Sequence, residues 1–288
     1  MTKTWNGWGS GFLGMLIFSG SLPATRLAVM DFSPSFLTAA RAVIAAMLAA
    51  LLLGLSRAPR PARADYIPLM AVAAGVVIGF PLLTGLALRH IDAARSVVFV
   101  GLLPLATALF GVWRAGERPR PAFWLFSLLG AATIAGFAWH SSGPGSLTGD
   151  LLMVAAIAAC GLGYAEGGRL ARHLGGWQVI SWALILALPL MAAIALVTLP
   201  ATWHHISRAS WAALAYVSVF SMLVGFVFWY RGLALGGIAG VGQLQLLQPF
   251  FGLALAALVL GEPVAWPMIA AILAVVLCVM GTRRFAGP

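Results

Sequence analysis

The sequence predicts an all-α integral membrane protein of ten transmembrane helices, arranged as two inverted five-helix repeats, residues 1–146 and 147–288. Three observations carry that prediction. Of 288 residues, 62% are hydrophobic and 8% charged, where soluble domains average about 45–50% and about 25%. Ten uncharged runs of 15 or more residues separate the Asp, Glu, Lys and Arg residues, at 4–25, 42–56, 66–88, 96–113, 121–149, 151–165, 173–207, 209–230, 232–261 and 263–282. Short blocks of sequence also recur at an offset near half the chain. A helix needs about 20 mostly apolar residues to cross the ~30 Å hydrocarbon layer, so ten spans take roughly 200 residues and leave about 9 per connection. No soluble domain fits in what remains.

The first run is expected to be a span that stays in the protein. Small residues at 19–21 resemble a cleavage site, but a single Lys3 precedes a run longer than an ordinary signal core. Within that run Pro23 frees the carbonyl of Ser19, because proline has no N–H to bond four residues back. The second span opens on Ser33-Pro34 and carries Arg41, about 12 Å below its start. The third holds Phe80 and Pro81, which frees Val77. In the fourth, Phe99 and Val100 precede Pro104, which frees Val100, and Gly116-Glu117 follow its end. The fifth carries no charge. In the sixth, Tyr164 precedes Glu166, about 24 Å from Asp150 along the helix. Pro189 in the seventh frees Ile185, and the eighth holds Phe228 and Trp229. The ninth holds Gln243, Gln245, Gln248 and Pro249, and the tenth stops before Arg283-Arg284.

Inside a membrane a freed carbonyl must face protein, a polar group or a water-filled cavity. These prolines therefore mark polar points in an apolar bundle. Pro249 frees Gln245, so that a carbonyl and an amide side chain are expected together, with Gln248 on the same face three residues on. Gln243 lies about 200° round the helix from Gln245.

Placing the N-terminus in the cytoplasm puts twelve basic residues in inside loops and four, Arg26, Arg89, Arg95 and Arg208, outside. The positive-inside rule then sets both termini on the cytoplasmic face of a bacterial inner membrane. The net charge of +10 is accounted for by these loops, so the expected large partner is the lipid bilayer and not nucleic acid. Cys160 and Cys278 fall within apolar runs and are expected to pack, with no metal site. Lys3 is the single lysine, and no Gly-rich loop ends in Gly-Lys-Ser/Thr, so neither a nucleotide site nor a cofactor is expected. An intramembrane enzyme lacks support: Gly-x-Ser-x-Gly and His-Glu-x-x-His are absent, and His204-His205 have no acidic neighbours in sequence.

Arg26-Leu27-Ala28 recurs as Arg169-Leu170-Ala171, 143 residues on; Gly85-Leu86-Ala87-Leu88 with Ile91 recurs as Gly232-Leu233-Ala234-Leu235 with Ile238, 147 on; Gly116-Glu117 recurs as Gly261-Glu262, 145 on. Pro104 precedes Glu117 by 13, and Pro249 precedes Glu262 by 13. Five is odd, so the second copy enters the membrane from the opposite side. Inverted repeats are the architecture of alternating access, with the site near the midplane between the halves.

On these residues the chain resembles the ten-helix, EamA-type members of the drug/metabolite transporter superfamily over nearly its whole length. The resemblance rests on the small residues at 19–23, Ser33-Pro34, Arg41, Pro104 with Gly116-Glu117, and Pro249 with Gly261-Glu262. Phe18 stands where a tryptophan is usual. Within the superfamily the chain looks most like bacterial exporters of aromatic amino acids. That resemblance implies a secondary transporter, not an enzyme, exporting small amphipathic metabolites such as amino acids; a monomer is compatible with it, and the sequence does not set the oligomeric state.

The expected pathway residues are Ser19, Arg41, Phe80, Phe99, Val100, Tyr164, Phe228, Gln245 and Gln248, with Pro23, Pro104, Glu166 and Pro249 as helix breaks or gates. Arg41 has two readings, a bond to broken-helix carbonyls or Asp31 and contact with a substrate carboxylate. Glu166 likewise either pairs with Arg169 or Arg172 on its own helix or gates the path. At an offset of 145, Gln245 matches Val100 and Gln248 matches Leu103, so one wall is polar and the other apolar. Such a wall suits amphipathic solutes. The competing transport reading, a proton-driven drug extruder, needs a deep carboxylate, and Glu166 is the one available. Glycines at 232, 236 and 240, and at 163 and 167, have the spacing for close helix approach.

Overall fold

The computed structural model describes residues 2–91, 93–139, 146–260 and 266–287, which are helical with no strand. Helices α1 (Thr2–Ser19) and α2 (Ser21–Ala28) are divided at Gly20, and α3 (Pro34–Leu55) follows, capped by the Ser33 hydroxyl. Next come α4 (Tyr66–Val72), a π-helical segment (Ala73–Gly79) and α5 (Phe80–Ala87) as one interrupted rod. Helices α6 (Ala93–Val100), α7 (Leu103–Ala115), α8 (Pro121–Trp139), α9 (Leu147–Leu170) and α10 (Gly176–Val197) continue the chain. A second interrupted rod is made of α11 (Arg208–Tyr216), a π segment (Val217–Val224) and α12 (Gly225–Gly236). The last part comprises α13 (Ile238–Gly242), a 3₁₀ segment (Gln243–Leu247), α14 (Gln248–Leu260) and α15 (Trp266–Phe285).

Among the described residues, six stretches are long and apolar enough to cross a membrane: Pro34–Leu55, Arg63–Ala87, Val98–Ala115, Leu147–Leu170, Gly176–Val197 and Arg208–Gly236. Pro121–Gly136 is a shorter apolar helix. Many large apolar side chains on these rods point outward, Leu55, Met47 and Leu196 among them. That is the surface a lipid solvent demands.

The interruptions have local causes. Pro81 cannot donate, and the rod absorbs it with a π turn in which the Phe80 N–H reaches the carbonyl of Gly75. At Pro104 the chain breaks more fully: α6 ends, Leu102 N–H bonds Phe99 O at 2.8 Å, and Pro104 sits in the first turn of α7, where its missing donor costs nothing. Pro189, by contrast, lies inside an unbroken α10. Before Pro249 the helix tightens to 3₁₀ geometry, and the Gln248 N–H bonds the carbonyl of Gln245. This corrects the expectation of a free carbonyl at Gln245. The expectation counted bonds four residues back; a 3₁₀ turn closes three back and takes up the acceptor.

Helices α1 and α12 cross at backbone contact. A Cβ on Gly7 would stand 2.7 Å from Gly236 Cα, one on Gly232 2.6 Å from Gly11 Cα, and one on Gly14 2.8 Å from Trp229 N. The expected role of Gly232 and Gly236 holds; Gly240 faces Ala286 and Trp8 instead. Gly163 lies against Gly75 and Val76, and Gly167 against the Tyr230 ring. Both cysteines are buried and free. Gly261-Glu262 lie outside the described residues.

Candidate functional site

The helices that meet at these glycines bring together a buried polar cluster. The Gln245 amide nitrogen donates to the Tyr164 hydroxyl at 3.0 Å, and each residue is 6% exposed. Aromatic rings surround the pair. Trp229 meets Tyr164 edge to face with centroids 5.5 Å apart; Phe226 lies 6.1 Å from Tyr164; Phe18 stacks obliquely on Phe226 at 4.9 Å. Trp229 is fully buried, and its indole nitrogen has no hydrogen-bond partner among the described residues. A buried N–H without an acceptor is uncommon and costs about 1–3 kcal/mol.

Gln243, two residues away, is used differently. It is wholly buried, its carbonyl oxygen accepting from Ser127 Oγ at 3.0 Å and its nitrogen donating to Pro104 O at 3.2 Å. In 3₁₀ geometry two residues differ by about 240°, so neighbouring amides address opposite sides.

At one end of the same helices stands a charged network. Glu166, 1% exposed, accepts from Arg114 and, at 2.8 Å, from Arg169 three residues along its own helix. Arg172 turns instead to Glu117 at 2.8 Å. Glu117 also accepts from the backbone N–H groups of Ile238 (2.8 Å) and Ala239 (2.7 Å), capping α13 where Gly237 takes φ 90°. Arg114 and the capping role of Glu117 escaped the sequence reading. The recurring Gly116-Glu117 block was the one signal for them.

The remaining expected residues scatter. Ser19 is buried, but its hydroxyl bonds Met15 O in its own helix at 2.9 Å. The Ser19 carbonyl freed by Pro23 faces Gly252, whose Cβ would lie 3.3 Å away. Arg41 is half-buried, its Nε without a partner among the described residues. Its helix α3 packs chiefly on α10 and the Val217–Val224 segment, away from Gln245, and Asp31 bonds the Ser207 amide. Phe99 and Val100 pack beside Ala87, Ile91 and Met153, and Phe99 also lines an apolar hollow of about 270 Å³ with Leu102, Phe110 and Ile157. Phe80 packs on the main core, half-buried Phe228 gives its carbonyl to Ser10, and Gln248 is half-buried at the start of α14. Among the described residues no group of three His, Cys, Asp or Glu side chains stands together to hold a metal.

Long apolar rods with a polar cluster and a paired carboxylate buried among them define a multi-pass membrane protein. Comparison places it: the sequence profile of the EamA-like transporter family matches twice, at residues 5–139 and 147–284. A Bacillus subtilis (strain 168) protein described as the uncharacterized transporter YdeK is 61% identical over 286 residues, covering 99% of this chain and 100% of that one. A crystal structure 20% identical in sequence superposes with a TM-score of 0.82 over 97% of both chains. The chain belongs to the EamA-like transporter family of the drug/metabolite transporter superfamily.

Proposed function

We propose that the protein is a ten-span secondary transporter of two inverted five-helix repeats, 1–146 and 147–288, that exports small amphipathic metabolites, amino acids including aromatic ones, by alternating access. The duplication is supported by the twofold match to the family profile and by the two π segments, which begin 144 residues apart at Ala73 and Val217. The interruptions at 101–102 and 243–247 stand at a similar offset. The twelve-to-four distribution of basic residues supports termini on the cytoplasmic side of a bacterial inner membrane. A reporter fused after Pro288 and active solely outside the cytoplasm would refute that orientation.

The observation that carries the substrate reading is the Tyr164–Gln245 pair within its ring of aromatics. An amino acid must shed water from an ammonium and a carboxylate, and an unpartnered desolvated charge costs several kcal/mol. A phenol and an amide can exchange their mutual bond for bonds to those groups, the idle Trp229 N–H offers a carboxylate a donor, and the rings receive the side chain. Glu166, the carboxylate a proton-driven extruder would use, is compensated by Arg114 and Arg169, which favours transport down the substrate's own gradient. Purified protein in vesicles, given labelled amino acids with and without a pH gradient, tests both points. Flux of aromatic amino acids that persists at equal pH is expected. Absence of flux for the whole panel would refute the substrate class, and flux that vanishes at equal pH would refute uncoupled transport.

A further inference from the structure

A hollow of about 720 Å³ lies between the α9–α10 turn and the end of α12, lined by residues 171–178 together with Arg231, Ala234 and Leu235. We propose that it binds a phosphate group, supplied by the headgroup of an acidic phospholipid. Arg172, from the turn after α9, and Arg231, from α12, reach the hollow, and no carboxylate is among the described residues that line it. Arg172 already shares its charge with Glu117; Arg231 is exposed. The hollow also takes in the start of α10, a helix of 22 residues whose N-cap, Gly175, has no side chain to cap with. Its first intrahelical bond runs from Val179 N–H to Gly175 O at 3.2 Å, so the amides of Gly176, Trp177 and Gln178 have no partner within the helix. Amides at a helix start, with the positive end of the helix dipole behind them, favour a phosphate.

Two further features point to a phosphate ester of a lipid. Gln178 folds back over Gly175 with its carbonyl oxygen buried and without a donor among the described residues, and a headgroup brings an O–H or N–H beside its phosphate. The other walls include Leu174, Trp177, Ala234 and Leu235, which suit the first carbons of a lipid and the aromatic preference of the membrane interface. Basic hollows between helices on the cytoplasmic side are where acidic headgroups concentrate. The proposal rests on the membrane orientation given above and not on the transported substrate.

The test uses full-length protein purified in neutral detergent and stripped of lipid, with binding followed by native mass spectrometry and thermal unfolding. The probes are phosphatidylglycerol, phosphatidylcholine and inorganic phosphate. Phosphatidylglycerol is expected to bind and raise the melting temperature, and Arg231→Gln to weaken its binding about tenfold, while Arg208→Gln, at an exposed arginine far along the chain, leaves it unchanged. Arg231→Lys should recover part of the loss. The same dependence on Arg231 with inorganic phosphate but without phosphatidylglycerol would keep the phosphate site and assign it to a soluble anion. Equal binding of phosphatidylglycerol by wild type and Arg231→Gln, or no preference over phosphatidylcholine with phosphate inert, would overturn the proposal. Because the readout is binding, a failure to transport amino acids leaves this result standing.

Discussion

The charged network and the amide cluster lie on the same helices, about 3 Å apart along α9 between Tyr164 and Glu166 and about 10 Å apart along the last interrupted rod between Ala239 and Gln245, yet they are finished to different degrees. Each carboxylate oxygen of Glu117 and Glu166 has a partner: Arg172 and the Ile238 amide, the Ala239 amide, Arg114, and Arg169. In the cluster Gln245 and Tyr164 have one bond between them, and Trp229 Nε1 has no partner among the described residues. A satisfied network fixes helices; an incomplete one retains capacity for a guest. Gln243 shows the contrast at closest range, because both its oxygen and its nitrogen are bonded, by Ser127 and Pro104, two residues from Gln245.

Breaking the finished region should cost stability first. Glu117→Ala removes the cap from Ile238 and Ala239 and the partner from Arg172, for an expected loss of about 3 kcal/mol, read as a lower melting temperature in detergent. A melting temperature unchanged by that substitution would mean α13 is held by packing alone. Gln243→Leu leaves the Ser127 hydroxyl and the Pro104 carbonyl without their partner, and about 2 kcal/mol should be lost, with transport per folded molecule close to wild type. Gln245→Leu should do the reverse, melting near wild type while apparent substrate affinity falls about tenfold. Equal transport by the two leucine variants, each corrected for protein in the membrane, would put the pathway on another face of the segment.

The smallest effect belongs to Asp31. Its carboxyl is held below the ordinary carboxylate range chiefly by the backbone N–H of Ser207, then by the hydroxyls of Ser210 and Ser207. A depressed folded value means that the contribution is complete above the ordinary carboxylate range and disappears as pH falls through the folded value. Asp31→Asn should therefore melt slightly below wild type near neutral pH, and the two curves should converge in acid. Curves that stay parallel down to strongly acid pH would show that the charge does not matter.

Much of the architecture was legible from the chain because a membrane imposes its requirements residue by residue: uncharged runs, outward apolar faces, glycines where α1 meets α12. Glu166 with Arg169 was legible too, since three residues along a helix is a fixed distance. Arg114, 52 residues from Glu166, and Ile238, 121 residues from Glu117, were not, because those meetings depend on how separate helices pack. Tyr164 and Gln245 were each singled out, but their partnership was hidden for the same reason. Pro81 announces its interruption, whereas Val217–Val224 contains no proline and deviates from α geometry without any local sign.

A π turn holds one residue more than an α turn covering the same stretch. The rods through Ala73–Gly79 and Val217–Val224 therefore contain places where a single-residue deletion restores α geometry and leaves both flanks in phase. Anywhere else along these rods the same deletion would turn every later side chain by about 100°, exchanging lipid-facing residues for buried ones.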